Sequence, residues 1–249
     1  SRILAPVIIL IAITISWEAW VQIAEIPIYL LPKPSVVVAR LFGDIGYFVE
    51  QSTITIFRAL SGFSLGLLVA IISATLMVHF RFIEKSLYSI AVLVKVTPIV
   101  AIAPLLVIWF GFGYLPIVLI ASLITFFPVL VNALTGFKSV DSESLDFFRS
   151  LRATNKDVFL KLRVPSSLPY LFAAFRISIP LSVIGAVVGE FFGGAQGLGA
   201  VIFIAHHNLD MPTSFSAILI LALTGIGLTA LTSVIEKRVL FWHESVRSP

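Results

Sequence analysis

The segment DSESLDFFRSLRATNKDVFLKLRVPSSLP, residues 141–169, is the polar stretch that organises the rest of this chain. It carries nine charged side chains in 29 positions, whereas the 249-residue chain is 59% hydrophobic and only 12% charged. A soluble domain carries about 25% charged residues. The composition therefore indicates a membrane protein, in which residues 141–169 form a large polar loop between two membrane-crossing segments.

Six long apolar segments divide the chain, each close to the length of about 20 residues that crosses the hydrocarbon core of a bilayer. The ten-residue alternation of a membrane barrel is absent, so we expect helices. The sequence predicts an all-α membrane protein with six transmembrane helices in a single domain, residues 1–249, whose first apolar run is retained as a span. The predicted spans are residues 4–21, 57–78, 87–110, 115–135, 168–188 and 215–235.

Basic residues fall mainly on one side of this six-span arrangement. Cytoplasmic loops of membrane proteins carry the excess of lysine and arginine. Lys33, Arg40 and Arg58 lie on or near the opposite side. The bias places both termini and the polar loop in the cytoplasm, and it explains the net charge of +4 without a nucleic-acid partner. The twelve residues on the basic side are Arg2, Arg81, Lys85, Lys138, Arg149, Arg152, Lys156, Lys161, Arg163, Lys237, Arg238 and Arg247.

Small residues recur every fourth position along the second predicted span. Small side chains let helix backbones approach closely in lipid, where apolar burial gives no driving force. We expect this stripe to be a helix-packing seam, with a glycine-lined pore wall as the alternative. The stripe is Gly62, Gly66, Ala70 and Ala74.

The polar loop itself predicts two short amphipathic helices. Asp141 is suited to cap the first, and Thr154 with Asp157 resembles a capping box for the second. Pro165 is expected to end the second helix, and Pro169 fits the first turn of the next span. Apolar residues at helical spacing inside a charged loop indicate docking into a partner's groove, rather than an ordinary solvated loop. The apolar positions are Leu145, Phe148, Leu151, Val158, Phe159 and Leu162.

One pattern in this loop resembles the EAA loop of ABC-importer permeases, which reads Glu-Ala-Ala, three residues, Gly, nine residues and Ile-x-Leu-Pro. Here the corresponding residues are Asp146-Phe147-Phe148, Arg152 and Leu162-Arg163-Val164-Pro165, with the spacing kept. Other similar stretches are LLPKPSVV, KVTPIVAIAPLLVIWFGFG, LPYLFAAFRISI and IGAVVGEFFGGAQGLG. Together they resemble the nitrate, sulfonate, taurine and thiamine-precursor branch across nearly the whole chain.

Within that branch, VIWFGFG, VVGEFFGG and the WHESVR tail are most similar to the pyrimidine-precursor and riboflavin-type permeases. Sulfonate, taurine or nitrate come next as the implied solute. The resemblance implies the type I ABC importer permease fold and a multi-pass protein of the bacterial inner membrane. It also implies a complex with a second permease copy, expected to form a homodimer, two ATP-binding subunits and an extracytoplasmic substrate-binding protein.

In this complex the partner ATPase would bind ATP and magnesium, and the permease itself would hold no cofactor or metal and catalyse no reaction. No lysine in the chain follows a glycine, so the Gly-Lys-Ser/Thr end of a P-loop is absent from the sequence. The resemblance assigns ATPase coupling to the loop at residues 137–167. The implied coupling residues are Asp146, Phe147, Phe148, Arg149, Leu151, Arg152, Ala153, Leu162 and Pro165.

Two departures from the family pattern affect this loop. Arg152 replaces the family glycine, and a residue with a Cβ is strained if the turn needs a positive φ. Phe147 and Phe148 replace the two alanines, which predicts a larger apolar contact with the partner.

Candidates for the solute pathway or gate are few. Lys95 and Arg176 are ionisable residues within predicted spans, where a functional role is the default, but both are expected near the cytoplasmic ends, where snorkelling is the alternative. Thr97 and Pro98 mark an expected break or kink in the third span, either at a gate or from packing alone. Glu190 closes the fifth span beside a Phe-Phe-Gly-Gly segment, as a gate residue or an interfacial anchor.

A cluster of polar residues, His206, His207, Asn208 and Asp210, has two interpretations. Neighbouring imidazoles on a helix point about 100° apart and no His-Glu-x-x-His spacing is present, so a metal site is disfavoured. An outer loop that contacts the binding protein is preferred.

Two other classes of protein stay open. A secondary transporter usually shows repeats with broken helices in matching positions, and none is visible here. An intramembrane enzyme needs a paired nucleophile and base or a carboxylate cluster within the spans, and the ionisable residues here are scattered.

Overall fold

The computed structural model describes residues 4–241, which form helices joined by short turns, with no strand among those residues. The all-α prediction is confirmed. Arg2, Arg247 and the WHESVR tail lie outside the described residues. In chain order the helices are α1 (Leu4–Ile23), α2 (Pro34–Gly43), α3 (Ile45–His79), α4 (Arg81–Val96), α5 (Ile99–Phe110), α6 (Tyr114–Lys138), α7 (Ser142–Ser150), α8 (Asn155–Val158), a π-helical turn (Phe159–Arg163), α9 (Val164–Gly193), α10 (Leu198–His207) and α11 (Met211–Val239).

Within the described part of the chain, five helical segments are long and apolar enough to cross a membrane: α1, α3, α6, α11 and the segment Asn155–Gly193 that contains α9. They correspond to five of the six predicted spans. The remaining prediction, a single helix over residues 87–110, is wrong in form. That region consists of α4 and α5, which are 16 and 12 residues long.

The break between α4 and α5 lies at Thr97 and Pro98. Thr97 is extended, with ψ at 127°, and Pro98 precedes the first residue of α5. Proline offers no N–H for the helical ladder and disfavours helical geometry at the residue before it. The break expected from Pro98 is therefore present, whereas Pro104 stays inside α5.

Helix α6 forms the centre of the core, because it packs against both α3 and α9. A Cβ added to Gly66 of α3 would lie 2.7 Å from the Ser122 carbonyl oxygen, and one added to Gly185 of α9 would lie 2.7 Å from the Ala121 Cα. Ala70 and Ala74 are fully buried in the same stripe. The predicted packing seam is thus confirmed, and it faces α6.

Two ten-residue helices, α2 and α10, are absent from the sequence prediction. Both are too short for the criterion of a membrane span. Helix α2 begins at Pro34, whose fixed φ suits the first helical position. Helix α10 follows Gly197, whose φ of +98° is accessible to glycine at little cost.

Candidate functional site

The polar loop is held in shape by its helix caps. Asp141 caps α7, because its carboxylate accepts hydrogen bonds from the Ser144 N–H at 2.6 Å and the Ser144 hydroxyl at 2.9 Å. These bonds lower the pKa of the Asp141 carboxyl below its ordinary value. Thr154 and Asp157 form the predicted capping box at the start of α8. The two helix starts inferred from sequence are therefore present.

Arg152 sits in the turn between α7 and α8 with φ at +54°. Its N–H donates to the Arg149 carbonyl at 2.9 Å, and the next N–H, of Ala153, donates to the Phe148 carbonyl at 3.0 Å. This pair of bonds is the Schellman arrangement that ends many helices, with the left-handed position usually given to glycine. The turn therefore needs a positive φ at this position, and Arg152 adopts the strained geometry expected when it replaces the family glycine.

The second short helix does not end at Pro165. Helix α8 continues through the π-helical turn into α9, so that residues 155–193 are one helical segment. In the π turn the Val164 N–H donates to the Phe159 carbonyl, five residues back. π-Helix is rare in proteins and occurs mostly as single turns inside α-helices, as it does here. Pro165 follows the π turn directly, and the stop expected there is wrong because the helix continues through it.

The base of the loop is anchored to the helix bundle. The Phe159 ring lies 5.1 Å from the Phe137 ring at the end of α6 and 5.4 Å from the His79 ring at the end of α3. Arg163 donates to the Phe137 carbonyl oxygen at 2.7 Å. The π turn is therefore packed against the cytoplasmic ends of two core helices.

The tip of the loop exposes large apolar side chains. Phe147 is 61% exposed and Leu151 63%. Asp146 and Arg149 form an exposed ion pair with 2.9 Å between oxygen and nitrogen on the same helix. Phe148, Ala153 and Leu162 are half-buried, whereas Pro165 and Arg152 are exposed. The loop thus separates an anchored base from an apolar, exposed tip.

Helices α4 and α6 are joined at two levels. Lys138, the last residue of α6, forms an ion pair with Glu84 near the start of α4. The second level is eleven residues further along both helices, at Lys95 of α4 and Phe127 of α6. There the Lys95 Nζ lies 4.8 Å above the centre of the Phe127 ring. At 1.5 Å per residue this second level is about 16 Å from the first. Lys95 therefore lies level with the middle of α6, beside the Thr97–Pro98 break, and not level with the end of α6 that carries Lys138. The pathway role inferred for Lys95 stays a prediction.

Arg176 does not stand alone within its span. Its guanidinium lies 2.6 Å from the carboxylate of Glu236 near the end of α11, and Glu236 is buried. A buried carboxylate needs such a partner to offset the loss of hydration. The position links α9 to α11, and the pathway role inferred for Arg176 stays a prediction.

Glu190 lies at the centre of a buried polar cluster and is only 1% exposed. Its carboxylate accepts from the Arg58 guanidinium at 2.9 Å, the Thr55 hydroxyl at 3.0 Å and the Gly199 N–H at 2.9 Å. The interfacial-anchor interpretation does not match this buried position.

The same cluster fixes the glycine-rich segment before α10. The Gly197 N–H donates to the Gln51 side chain at 2.7 Å, and the Leu198 N–H donates to the Thr55 hydroxyl at 2.8 Å. Arg58 also donates to the Gln196 carbonyl oxygen at 2.6 Å. Any opening at this segment must break these hydrogen bonds. The gate role inferred for Glu190 stays a prediction.

The partners of Glu190 were not predicted from the sequence, although the sequence carries a signal for them. Gln51, Thr55 and Arg58 are spaced at i, i+4 and i+7, which places them on one face of a helix. A polar stripe at this spacing in an apolar helix indicates a buried polar contact with another element.

The polar residues His206, His207 and Asn208 lie at the exposed end of α10. His207 Nδ1 contacts the Phe203 carbonyl oxygen at 2.8 Å, and Asp210 caps α11 by accepting from the Thr213 N–H at 3.2 Å. Among residues 4–241 no group of three or more His, Asp or Glu side chains is arranged to hold a metal ion. The arrangement is that of an exposed turn between two helices.

Comparison with known proteins adds three findings. The family described as "Binding-protein-dependent transport system inner membrane component" matches residues 63–241. The riboflavin transport system permease protein RibX of Chloroflexus aurantiacus is 34% identical over 95% of this chain and 89% of that protein. The formylaminopyrimidine transport permease protein ThiX of Halalkalibacterium halodurans is 33% identical over 97% of this chain and 96% of that protein.

A solved structure shows the same fold. The inward-facing MetNI methionine ABC transporter matches with a TM-score of 0.70, over 78% of this chain and 97% of that chain, at 13% sequence identity. The permease fold expected from the sequence resemblance is therefore confirmed at the level of the helix arrangement.

Proposed function

Because this chain belongs to the family of binding-protein-dependent inner-membrane transport components, we propose that the apolar tip of its polar loop docks into a groove of the ATP-binding partner. The chain is a multi-pass inner-membrane permease of an ABC importer. The carrying observation is the exposure of Phe147 and Leu151. Lipid does not account for it, because these residues lie in the segment with nine charges. An apolar helix face that enters a partner's groove does account for it.

The loop is built to transmit force. Its tip in α7 is joined by the turn at residues 151–154 to one helical segment, residues 155–193, and its base is packed against α3 and α6 through Phe159. A displacement of the docked tip therefore acts directly on α9. We infer that closure of the ATPase subunits, which bind ATP and magnesium, shifts the permease between inward-open and outward-open populations through this helix.

Lys95 and Phe127 support a solute-binding role at mid-depth. Lys95, in the last turn of α4, is exposed at the level of the middle of α6, and it lies beside the break between α4 and α5. Charged residues and helix breaks at this depth are costly unless they line a polar path. The pair combines an aromatic face with a cationic hydrogen-bond donor. We propose that it contacts the solute as it passes.

The proposed solute is a nitrogen-containing heteroaromatic compound of the riboflavin or formylaminopyrimidine kind. The names of the two relatives specify such compounds, and both relatives match nearly the full chain. An aromatic ring beside a lysine suits a flat ring with hydrogen-bond acceptors. A sulfonate is the second candidate, since a permease of Bacillus subtilis described as a putative aliphatic sulfonates permease is 28% identical, and Lys95 also suits an anion.

The orientation of the chain also indicates where the other partners of the complex bind. The α10–α11 turn with His206 and His207 lies at the opposite end of the bundle from the polar loop, as the alternation of the helices requires. We propose that this exposed turn contacts the extracytoplasmic binding protein. A second copy of this chain completes the permease in the proposed assembly.

Docking is tested by replacing the apolar tip. The variant Phe147→Asp with Leu151→Asp is expected to reduce association with the ATPase partner by roughly thirtyfold or more, since loss of an interface anchor costs about 2 kcal/mol or more. Association is measured by co-purification in detergent and by ATP-driven uptake in vesicles. Phe112→Asp is the control, because Phe112 is also exposed but lies between α5 and α6 at the other end of the bundle. Unchanged association of the double variant would refute docking through this tip.

A further inference from the structure

A basic groove lies at the cytoplasmic elbow between α3 and α4. Two adjoining cavities, of about 590 and 470 Å3, share Arg81 and Glu84 in their walls. Lys85 completes the first cavity with Arg81, and Lys138 and Arg163 complete the second. Four cationic side chains therefore surround one carboxylate, and the groove carries a net charge of +3.

Only part of this positive charge is neutralised. Glu84 is paired with Lys138, and Arg163 donates to the Phe137 carbonyl oxygen. Within the described residues, Arg81 and Lys85 form no side-chain ion pair, and both are exposed. Cationic side chains from α4, α6 and the π turn thus line the same groove. A topology signal alone requires basic residues on this side of the membrane, but it does not require this convergence.

The depth of the groove matches that of lipid headgroups. Arg81 lies two residues beyond the end of α3, Lys138 ends α6 and Arg163 precedes α9, so the groove lies at the ends of three membrane-crossing helices. Phe82, beside Arg81, is 82% exposed. An exposed aromatic side chain next to cations is typical of the membrane interface, where the ring enters the acyl region and the cations face phosphates.

We propose that this groove binds the phosphate headgroup of an acidic phospholipid of the inner leaflet, with Phe82 among its acyl chains. Val140 and Leu145 wall the same cavity, so the bound headgroup lies against the inner face of α7. Phe147 is two residues beyond Leu145, about 200° around the helix. The lipid therefore contacts the face of α7 opposite to the proposed ATPase-docking face, and it supports the position of the loop without competing for docking.

The proposal is tested on the full chain in detergent by titration with phosphatidylglycerol and with phosphatidylcholine of the same acyl chains. Native mass spectrometry gives the dissociation constant, and thermal unfolding gives the stabilisation. Wild-type protein is expected to prefer phosphatidylglycerol. The variant Arg81→Gln with Lys85→Gln is expected to weaken its binding by about thirtyfold, because each basic residue near a lipid surface contributes about 1 kcal/mol. The charge-preserving variant Arg81→Lys with Lys85→Arg is expected to bind phosphatidylglycerol as the wild-type protein does.

The matched control is Lys237→Gln with Arg238→Gln, which removes the same charge from the exposed cytoplasmic end of α11. Equal weakening in this control overturns the proposal, because the attraction is then non-specific. Equal affinity of the wild-type protein for both lipids also overturns it, as does displacement of phosphatidylglycerol by millimolar inorganic phosphate, which identifies a free-anion site. If the groove variant instead loses the ATPase partner while its lipid binding is unchanged, the groove is a protein contact and the lipid proposal fails. None of these outcomes depends on docking through Phe147.

Discussion

The Glu190 carboxylate lies 2.9 Å from the Arg58 guanidinium, and both side chains are buried between α3 and α9. The pair also holds the first turn of α10, because Glu190 accepts from the Gly199 N–H and Arg58 donates to the Gln196 carbonyl. Three elements therefore meet at one ion pair. Removing one partner of a buried pair leaves an uncompensated charge. The loss of stability is then larger than the net stability that the intact pair contributes.

For this reason Glu190→Ala is expected to lower the free energy of unfolding by about 3 kcal/mol or more. Glu190→Gln is expected to cost less, because the amide oxygen still accepts from the Gly199 N–H. Thermal unfolding of purified protein measures both effects. Asp146→Ala removes a carboxylate from the exposed pair with Arg149 and is expected to change stability little. Equal losses for Glu190→Ala and Asp146→Ala would contradict the structural role of the buried pair.

The contact between α3 and α6 depends on Gly66. A Cβ at this position would lie 2.7 Å from the Ser122 backbone oxygen, which cannot move without displacing α6. Gly66→Ala is therefore expected to destabilise the protein by about 1 to 3 kcal/mol. Gly225→Ala is the control in α11, because a Cβ there meets no atom within 4 Å. It should leave stability unchanged or raise it, and a loss as large as that of Gly66→Ala would argue against close packing as the cause.

Replacement of Arg152 by glycine should relieve strain in the loop. The gain from removing a Cβ at φ +54° is about 1 to 2 kcal/mol, offset by about 0.5 to 1 kcal/mol of extra chain entropy in the unfolded state. Arg152→Gly is therefore expected to slow hydrogen exchange of the Ala153 amide, whose bond to the Phe148 carbonyl closes the turn. Ala153→Gly has no positive φ to relieve, so it is expected to speed this exchange. Faster exchange in Arg152→Gly would show that the arginine itself stabilises the turn.

Lys95 offers a test of the solute pathway. Lys95→Gln is expected to lower uptake by about tenfold, since it removes a charged hydrogen-bond donor worth about 1.5 kcal/mol. The measurement is uptake of riboflavin, formylaminopyrimidine and an aliphatic sulfonate by vesicles that contain the complete importer. Lys33→Gln removes a lysine at the start of α2, outside the proposed path. Normal uptake by Lys95→Gln would place the pathway elsewhere, and a defect confined to the sulfonate would favour the anionic solute.

Much of the molecule was accessible from residue patterns alone. Apolar length predicted five of the long helices, because the cost of exposing backbone groups to lipid leaves a helix as the available solution. The caps at Asp141 and Thr154 were also predictable, since a side-chain acceptor at a helix start acts within three residues. The motif spacing from Asp146 to Pro165 indicated the family that the comparisons then showed.

Other features depend on which helices become neighbours, and local patterns do not carry that information. The depth of Lys95 follows from the antiparallel pairing of α4 with α6, and the burial of Glu190 follows from the approach of Arg58 on α3. The continuation of α8 into α9 was hidden because a proline usually ends a helix, whereas here a π turn precedes it. The sequence by itself determined the five long apolar helices, the caps of the polar loop and the spacing of its motif, because these rest on residue types and interactions within a few positions of the chain. Only the tertiary structure decided which ionisable groups are paired across helices or buried, because pairs such as Arg58 with Glu190 and Arg176 with Glu236 join residues 132 and 60 positions apart in the chain.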